Sequence, residues 1–248
     1  MIARQYLHTE PVVAASYLFG CGGEGRGTVV DPVLAPEAYA RDAEALGLSI
    51  KYVVDTHVHA DHVSTGRQLS ELVGASYVLH ESAPADFPFA SVRDGDLLEV
   101  GNTSVKVLYT PGHTPEHVTL AVIDRTRSDE VWFLLTGHTL MIGDMGRTEL
   151  ASGAEEGARA LFMSAERLRG FPDYVEIWPG AFSGSVCGRG LSGRASSTIG
   201  FERRFNRAFA LTDRDAFVEL MLRDIPTRPE RAEEIRAENL GRVAATAP

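Results

Sequence analysis

Apolar residues fall along the chain in two rhythms. Short runs rich in β-branched and aromatic residues occur at positions 16–19, 28–31 and 50–54, and each predicts a strand. Between the second and third, residues 36–46 have helical spacing, with Pro36 at the first helical position. Residues 68–73 also read as helical. Strands are then predicted at 77–79, 97–100, 105–108, 118–122 and 131–135, a succession that requires a second sheet layer or a hairpin-rich sheet. Helical spacing returns over 155–169 and is followed by a strand at 174–178, so the pattern implies two βα-type halves packed face to face.

Periodicity lapses between positions 183 and 197, where Gly, Ser and Arg dominate. Strong structure on both sides makes this a long loop and not a domain linker. Ser196, Ser197 and Thr198 before Ile199 read as the start of a helix or strand with a capping side chain. Residues 213–222 and 229–240 look like closing helices, the last highly charged and only partly packed. The chain has no internal repeat.

A net charge of -10 argues against a nucleic-acid partner, which would call for clustered Lys and Arg. The basic residues are nearly all arginine, Lys51 and Lys106 being the only lysines. Cys21 and Cys187 are far apart and in no metal-ligand or redox spacing, so a disulfide framework is not expected. The N-terminal residues lack the basic and apolar regions of a secretory signal, and no apolar stretch reaches membrane-spanning length. These features point to a soluble cytoplasmic protein with no membrane association.

The chemistry concentrates where the 50–54 strand ends. Thr56-His57-Val58-His59-Ala60-Asp61-His62 places three imidazoles and a carboxylate within six residues. Imidazole and carboxylate bind first-row metals, and a loop leaving a strand end can aim residues two apart at one ion while Asp61 and His62 face a neighbouring position. Burying so many imidazoles for packing alone would carry a desolvation cost. A metal centre is the better reading.

This T-H-x-H-x-D-H run resembles the signature of the metallo-β-lactamase superfamily. Later segments match it in order: Thr110-Pro111-Gly112-His113, Thr136-Gly137-His138, Gly146-Arg147-Thr148-Glu149 and Trp178-Pro179-Gly180-Ala181. The length and the Gly-Arg-Thr-acid segment are most similar to the branch that holds glyoxalase II and the persulfide dioxygenases. The resemblance implies an α/β fold, an αββα sandwich with the metal site at one edge between the sheets. It spans about residues 10–210, which implies a catalytic domain over 1–210, with 211–248 as helices packed on or extending it.

Carried over by position, the resemblance makes His57, His59 and His113 the ligands of a first site and assigns Asp61 and His62 to a second. Two departures change the picture. Where the family usually has an aspartate after Thr-Gly this chain has His138, and where it usually has a histidine after Pro-Gly or Pro-Ala it has Ala181. Asp61 and His62 alone are a poor cage for a second ion, so one transition metal is expected. His57, His113 and His138, with or without His59, would hold it, and an all-neutral imidazole set with open positions suits iron(II) or zinc. Asp61 and His62 are then catalytic residues.

Arg147 matches the arginine that holds the glutathione carboxylate in the persulfide dioxygenase branch, and a guanidinium fork suits that task; loop stapling by a salt bridge is the alternative. His117 and His80 are at no family ligand position and read as structural. Asp144 reads as a turn cap, and Cys187 as a packed thiol. The function implied is a mononuclear non-haem iron oxygenase similar to persulfide dioxygenases, acting on a small thiol-type or related metabolite, glutathione-linked molecules included. A zinc-dependent glyoxalase II-like hydrolase of a thioester or ester competes with it, as does a non-catalytic metal-binding relative. Assembly as a homo-oligomer stays open.

Overall fold

The computed structural model describes residues 1–242 apart from 11, 224 and 226. In the first half, strands β1 (Ile2–His8), β2 (Ala14–Cys21), β3 (Arg26–Val30), β4 (Ser49–Val54), β5 (Ser76–His80) and β6 (Ala90–Val92) form one sheet in sequence order. β1 to β3 pair antiparallel, and β3 to β6 run parallel. The crossovers that parallel pairing demands are supplied by helix α1 (Pro36–Ala45) between β3 and β4 and helix α2 (Gly66–Val73) between β4 and β5. Pro36 opens α1 as its composition predicts.

The second half builds the facing sheet from β7 (Leu97–Val100), β8 (Thr103–Tyr109), β9 (Val118–Asp124), β10 (Phe133–Gly137), β11 (Glu176–Pro179) and β12 (Ser197–Thr198), again in sequence order. Only β10 and β11 are parallel, and helix α3 (Ala154–Arg169) makes their crossover. Helices α4 (Ile199–Phe205), α5 (Arg214–Leu222) and α6 (Ala232–Asn239) complete the described chain. Thr198 both ends β12 and caps α4, its side chain accepting from the Phe201 N–H.

Strand parity sorts the side chains into layers. Ala15, Tyr17, Phe19, Val30, Val54 and Val78 of the first sheet meet Val105, Val107, Leu120, Val122, Phe133 and Leu135 of the second in one inter-sheet core. Their neighbours Leu18, Val29 and Val53 face outward onto Tyr39 and Ala43 of α1 and Leu69 of α2. On the opposite outer face Leu108, Ala121 and Leu134 pack with Leu161 and Ala165 of α3 and with Phe217 of α5. The result is the αββα sandwich, an α/β fold in which each sheet is buried on both faces.

The helix α5 falls where the closing pattern at 213–222 predicts it, and α6 lies within the 229–240 segment; positions 243–248 of the expected C-terminal region are outside the described residues. Among the described residues no helix is long and apolar enough to cross a membrane.

Candidate metal centre

The site lies where strand ends of the two sheets meet. β4 delivers His57, His59, Asp61 and His62, β8 delivers His113, and β10 delivers His138. Asp31, held at a left-handed φ of 49°, ties the first of these loops down. Its Oδ1 accepts from the Thr56 N–H at 2.7 Å and its Oδ2 from the Thr56 hydroxyl at 2.9 Å. The Thr56 carbonyl in turn accepts from the Val118 N–H of the other sheet at 2.8 Å, which joins the two sheets beside the site.

Hydrogen-bond direction fixes the tautomers. The Thr56 hydroxyl spends its proton on Asp31, so it accepts from His57 Nδ1–H at 2.9 Å, leaving Nε2 of His57 with a bare lone pair. His113 Nδ1–H donates to the Arg147 carbonyl at 2.7 Å, which leaves its Nε2 bare as well, 3.2 Å from His138 Nδ1. One nitrogen donating to the protein while the other presents a lone pair is the arrangement of a metal-ligating histidine.

Ligand atoms of His57, His113 and His138 all lie within 4.8 Å of one another, and all three residues are buried. Nε2 of His57 and Nε2 of His138 have no hydrogen-bond partner. Buried polar atoms are ordinarily satisfied, so their convergence fits a metal ion well. Burial, reinforced by the neighbouring imidazoles, drives His57 well below its usual pKa. Burial likewise lowers His113 to about 3 and His138 to about 4. These three are therefore neutral and competent as donors at neutral pH.

His59 sits apart from that trio. Its Nε2 is 3.3 Å from Asp31 Oδ1 and its Nδ1 is 3.5 Å from Asp61 Oδ1, and with Asp61 and His62 it forms a second group of potential ligands. Burial pushes His59 down, but Asp31 and Asp61 outweigh it and hold the ring well above the ordinary histidine range. Burial would raise Asp61, yet His62, 3.2 Å away, and His59 keep its carboxyl well below the usual range.

His117 is accounted for without a ligand. Its Nε2 accepts from the His138 backbone N–H at 3.0 Å, and its Nδ1 faces Thr139 Oγ1 at 3.0 Å, a hydroxyl already donating to the Thr110 carbonyl. His117 thus positions the turn that carries His138. The turn requires Gly137, whose φ is 48° and whose added Cβ would lie 2.5 Å from His117 Nε2. His80 is stacked on Tyr109.

Arg147 is buried and paired with Glu149, and it donates to the Val186 carbonyl at 3.1 Å and the Thr227 carbonyl at 3.3 Å. In this geometry its fork staples the loop after β11 to the segment before α6. Asp144 does receive the Met145 N–H at 2.8 Å, and beyond that cap it is gripped by Arg189 through both carboxylate oxygens. Sequence reasoning missed two contributors. Cys187 is brought against Asp61 and His138, and Asn239 of α6 donates to the carbonyls of His59 and His62.

Two facing sheets with bare imidazoles buried at one edge define a metal-binding protein of a fold that is catalytic in its family. The metallo-beta-lactamase superfamily signature matches residues 9–180, and the chain belongs to that superfamily, in its glyoxalase II and persulfide dioxygenase branch, with a histidine-rich variant of the site. It is 31% identical over 218 residues to the human mitochondrial persulfide dioxygenase ETHE1, covering 86% of this chain and 78% of that protein. Hydroxyacylglutathione hydrolase of Rhodospirillum rubrum is 28% identical over 169 residues, covering 66% of this chain and 60% of the relative. Among solved structures, a metallo-beta-lactamase from Staphylococcus aureus superposes with a TM-score of 0.92 at 30% identity, over 100% of this chain and 74% of that one. ETHE1 from Myxococcus xanthus superposes with a TM-score of 0.81 at 29% identity, over 98% and 100%.

Proposed function

We propose that the chain is a mononuclear metal-dependent oxygenase with His57, His113 and His138 as ligands, acting on a small thiol-type substrate of the persulfide class. The observation that carries this reading is the convergence of those three neutral imidazoles, two of them with their second nitrogen already donating to the protein. The similarity to persulfide dioxygenases supplies the substrate class. Iron(II) held there would supply dioxygen activation, and zinc would supply Lewis-acid activation of water.

The chain's own residues divide the remaining tasks. Asp61 and His62, buried 3.2 Å apart beside the three imidazoles, are the side chains placed to orient a substrate or water there. His117 fixes the His138 turn. Arg147 acts through the loop it staples, which carries Cys187 beside Asp61 and His138.

A zinc hydrolase of thioesters is the second reading, favoured by the ionised Asp61 and by the likeness to hydroxyacylglutathione hydrolase. The test is elemental analysis of protein purified without added metal, together with an oxygen electrode and a thioester assay. Iron with oxygen uptake on glutathione persulfide supports the oxygenase; zinc with thiol release from a thioester and no oxygen uptake overturns it in favour of the hydrolase.

A further inference from the structure

The three-histidine set leaves a second group of buried atoms unexplained. Asp61 Oδ1 lies 3.2 Å from His62 Nδ1 and 3.5 Å from His59 Nδ1, but Asp61 Oδ2 and His62 Nε2 have no hydrogen-bond partner. The Asp61 side chain is only 1% exposed. Asp61 Oδ2 is a buried carboxylate oxygen without a hydrogen bond, and buried polar atoms are ordinarily satisfied, so it is open to a cation on the side away from His59 and His62.

Cys187 is the missing neighbour. It comes from the loop after β11, and that loop is pinned on both sides of it: the Arg147 N–H donates to the Cys187 carbonyl at 3.2 Å, and the Arg147 guanidinium donates to the Val186 carbonyl. The thiol is buried at 1% exposure. Ligand atoms of Asp61, His138 and Cys187 all lie within 4.8 Å of one another. Donors at ordinary zinc–ligand distances of about 2.0–2.3 Å from one ion can be no further apart than that.

We propose that Cys187 is a metal ligand, and that Asp61, His138 and Cys187 form a second donor set, for a thiophilic divalent cation of the zinc type, beside the three-histidine set. The proposal rests on the mononuclear reading through His138, which is common to both sets, so filling one takes a donor from the other. The chemistry separates them. Binding exchanges the Cys187 S–H proton, released to solvent, for a metal–sulfur bond, and the thiolate and the Asp61 carboxylate together neutralise a divalent charge. Three neutral imidazoles leave that charge uncompensated. A soft, anionic set selects zinc, while the imidazole set is left for iron(II). Cys187 thereby compensates for the family histidine that Ala181 replaces.

Cobalt(II) added anaerobically to the metal-free protein is the test. The wild type should show a thiolate-to-cobalt charge-transfer band in the near ultraviolet. Cys187→Ser should lose that band while keeping visible d–d absorption from the histidine set, and Cys21→Ser, altering the other cysteine, should retain the band. Zinc affinity should fall on the order of 10- to 100-fold in Cys187→Ser, with thermal unfolding of the metal-free variant unchanged to show that it folds. Cobalt bound without a charge-transfer band, or an unchanged band and zinc affinity in Cys187→Ser, overturns the proposal and leaves the oxygenase reading standing. A normal band in a protein that consumes no oxygen when loaded with iron and given glutathione persulfide overturns the oxygenase reading alone.

Discussion

Asn239→Ala tests whether the C-terminal helix holds the metal-binding loop in place. The Asn239 amide donates to the His59 carbonyl at 2.9 Å and to the His62 carbonyl at 2.8 Å, and its oxygen accepts from the Ser64 N–H at 2.9 Å. Alanine deletes all three and leaves two carbonyls and one N–H of the loop unpaired. At a net value of about 0.5–1.5 kcal/mol each, the sum is about 1.5–4.5 kcal/mol. Asn239 is half-buried, so water reaches part of what is lost, and alanine at the last residue of α6 recovers up to about 0.7 kcal/mol of helix propensity. The expected loss is therefore about 2 kcal/mol. Urea titration of the metal-free protein reads it as a lower midpoint at constant slope. Asn239→Asp should cost more, because it keeps the acceptor for Ser64 but turns an anion toward two carbonyls. A loss in Asn239→Ala below about 0.5 kcal/mol, the range of an unremarkable surface change, would refute the clamp, as would a milder effect for Asp than for Ala.

His138→Ala should lower metal affinity on the order of 10- to 100-fold, and His138→Asp, which restores the family carboxylate, should raise iron occupancy, both read by equilibrium dialysis with elemental analysis. Gly146→Ala should destabilise by roughly 1–3 kcal/mol, because its Cβ would lie 2.2 Å from the His138 carbonyl oxygen and 3.0 Å from His113 Nδ1; thermal unfolding with and without metal measures it. The metal-free protein should lose stability on acidification below pH 6.5. Unfolded histidines take up protons there, whereas folded His138 and His113 do so only near about 4 and about 3, so the unfolded state is favoured as pH falls through that window. Each contributes up to about 1.4 kcal/mol per pH unit, His59 with its raised value works in the opposite sense, and urea midpoints measured from about pH 7 to about pH 4 should fall toward the acid end.

The histidine motif and most strands were legible because their signal is local. Val53 and Val54 alternate between two cores within one short run, and a strand period reports that directly. β1 was not legible: Arg4, Gln5 and other polar residues interrupt the alternation in an edge strand whose outer side is exposed. β6 has three residues, too few for any period. The role of Cys187 depends on the path of a Gly- and Ser-rich loop pinned by Arg147, which no spacing encodes. α6 reads from its charge as loosely packed, yet Arg236 reaches the Val58 carbonyl and Glu116, and Asn239 reaches His59 and His62. Tautomers are equally invisible in sequence: His117 and His113 are both histidines near strand ends, and only their hydrogen-bond partners separate a support from a ligand.

The three imidazoles proposed for the metal come from both sheets, His57 from the end of β4 and His113 and His138 from the ends of β8 and β10. Neither sheet alone supplies His57, His113 and His138 together. An ion seated there is a cross-link between layers, and its binding free energy accrues only to the fully closed sandwich. Once bound, it makes the resistance of the whole fold to unfolding a function of the surrounding free-ion concentration, by about 1.4 kcal/mol for each tenfold rise above the dissociation constant. A chain emerging during synthesis would acquire that reinforcement only once β10, whose end carries His138, has joined the second sheet.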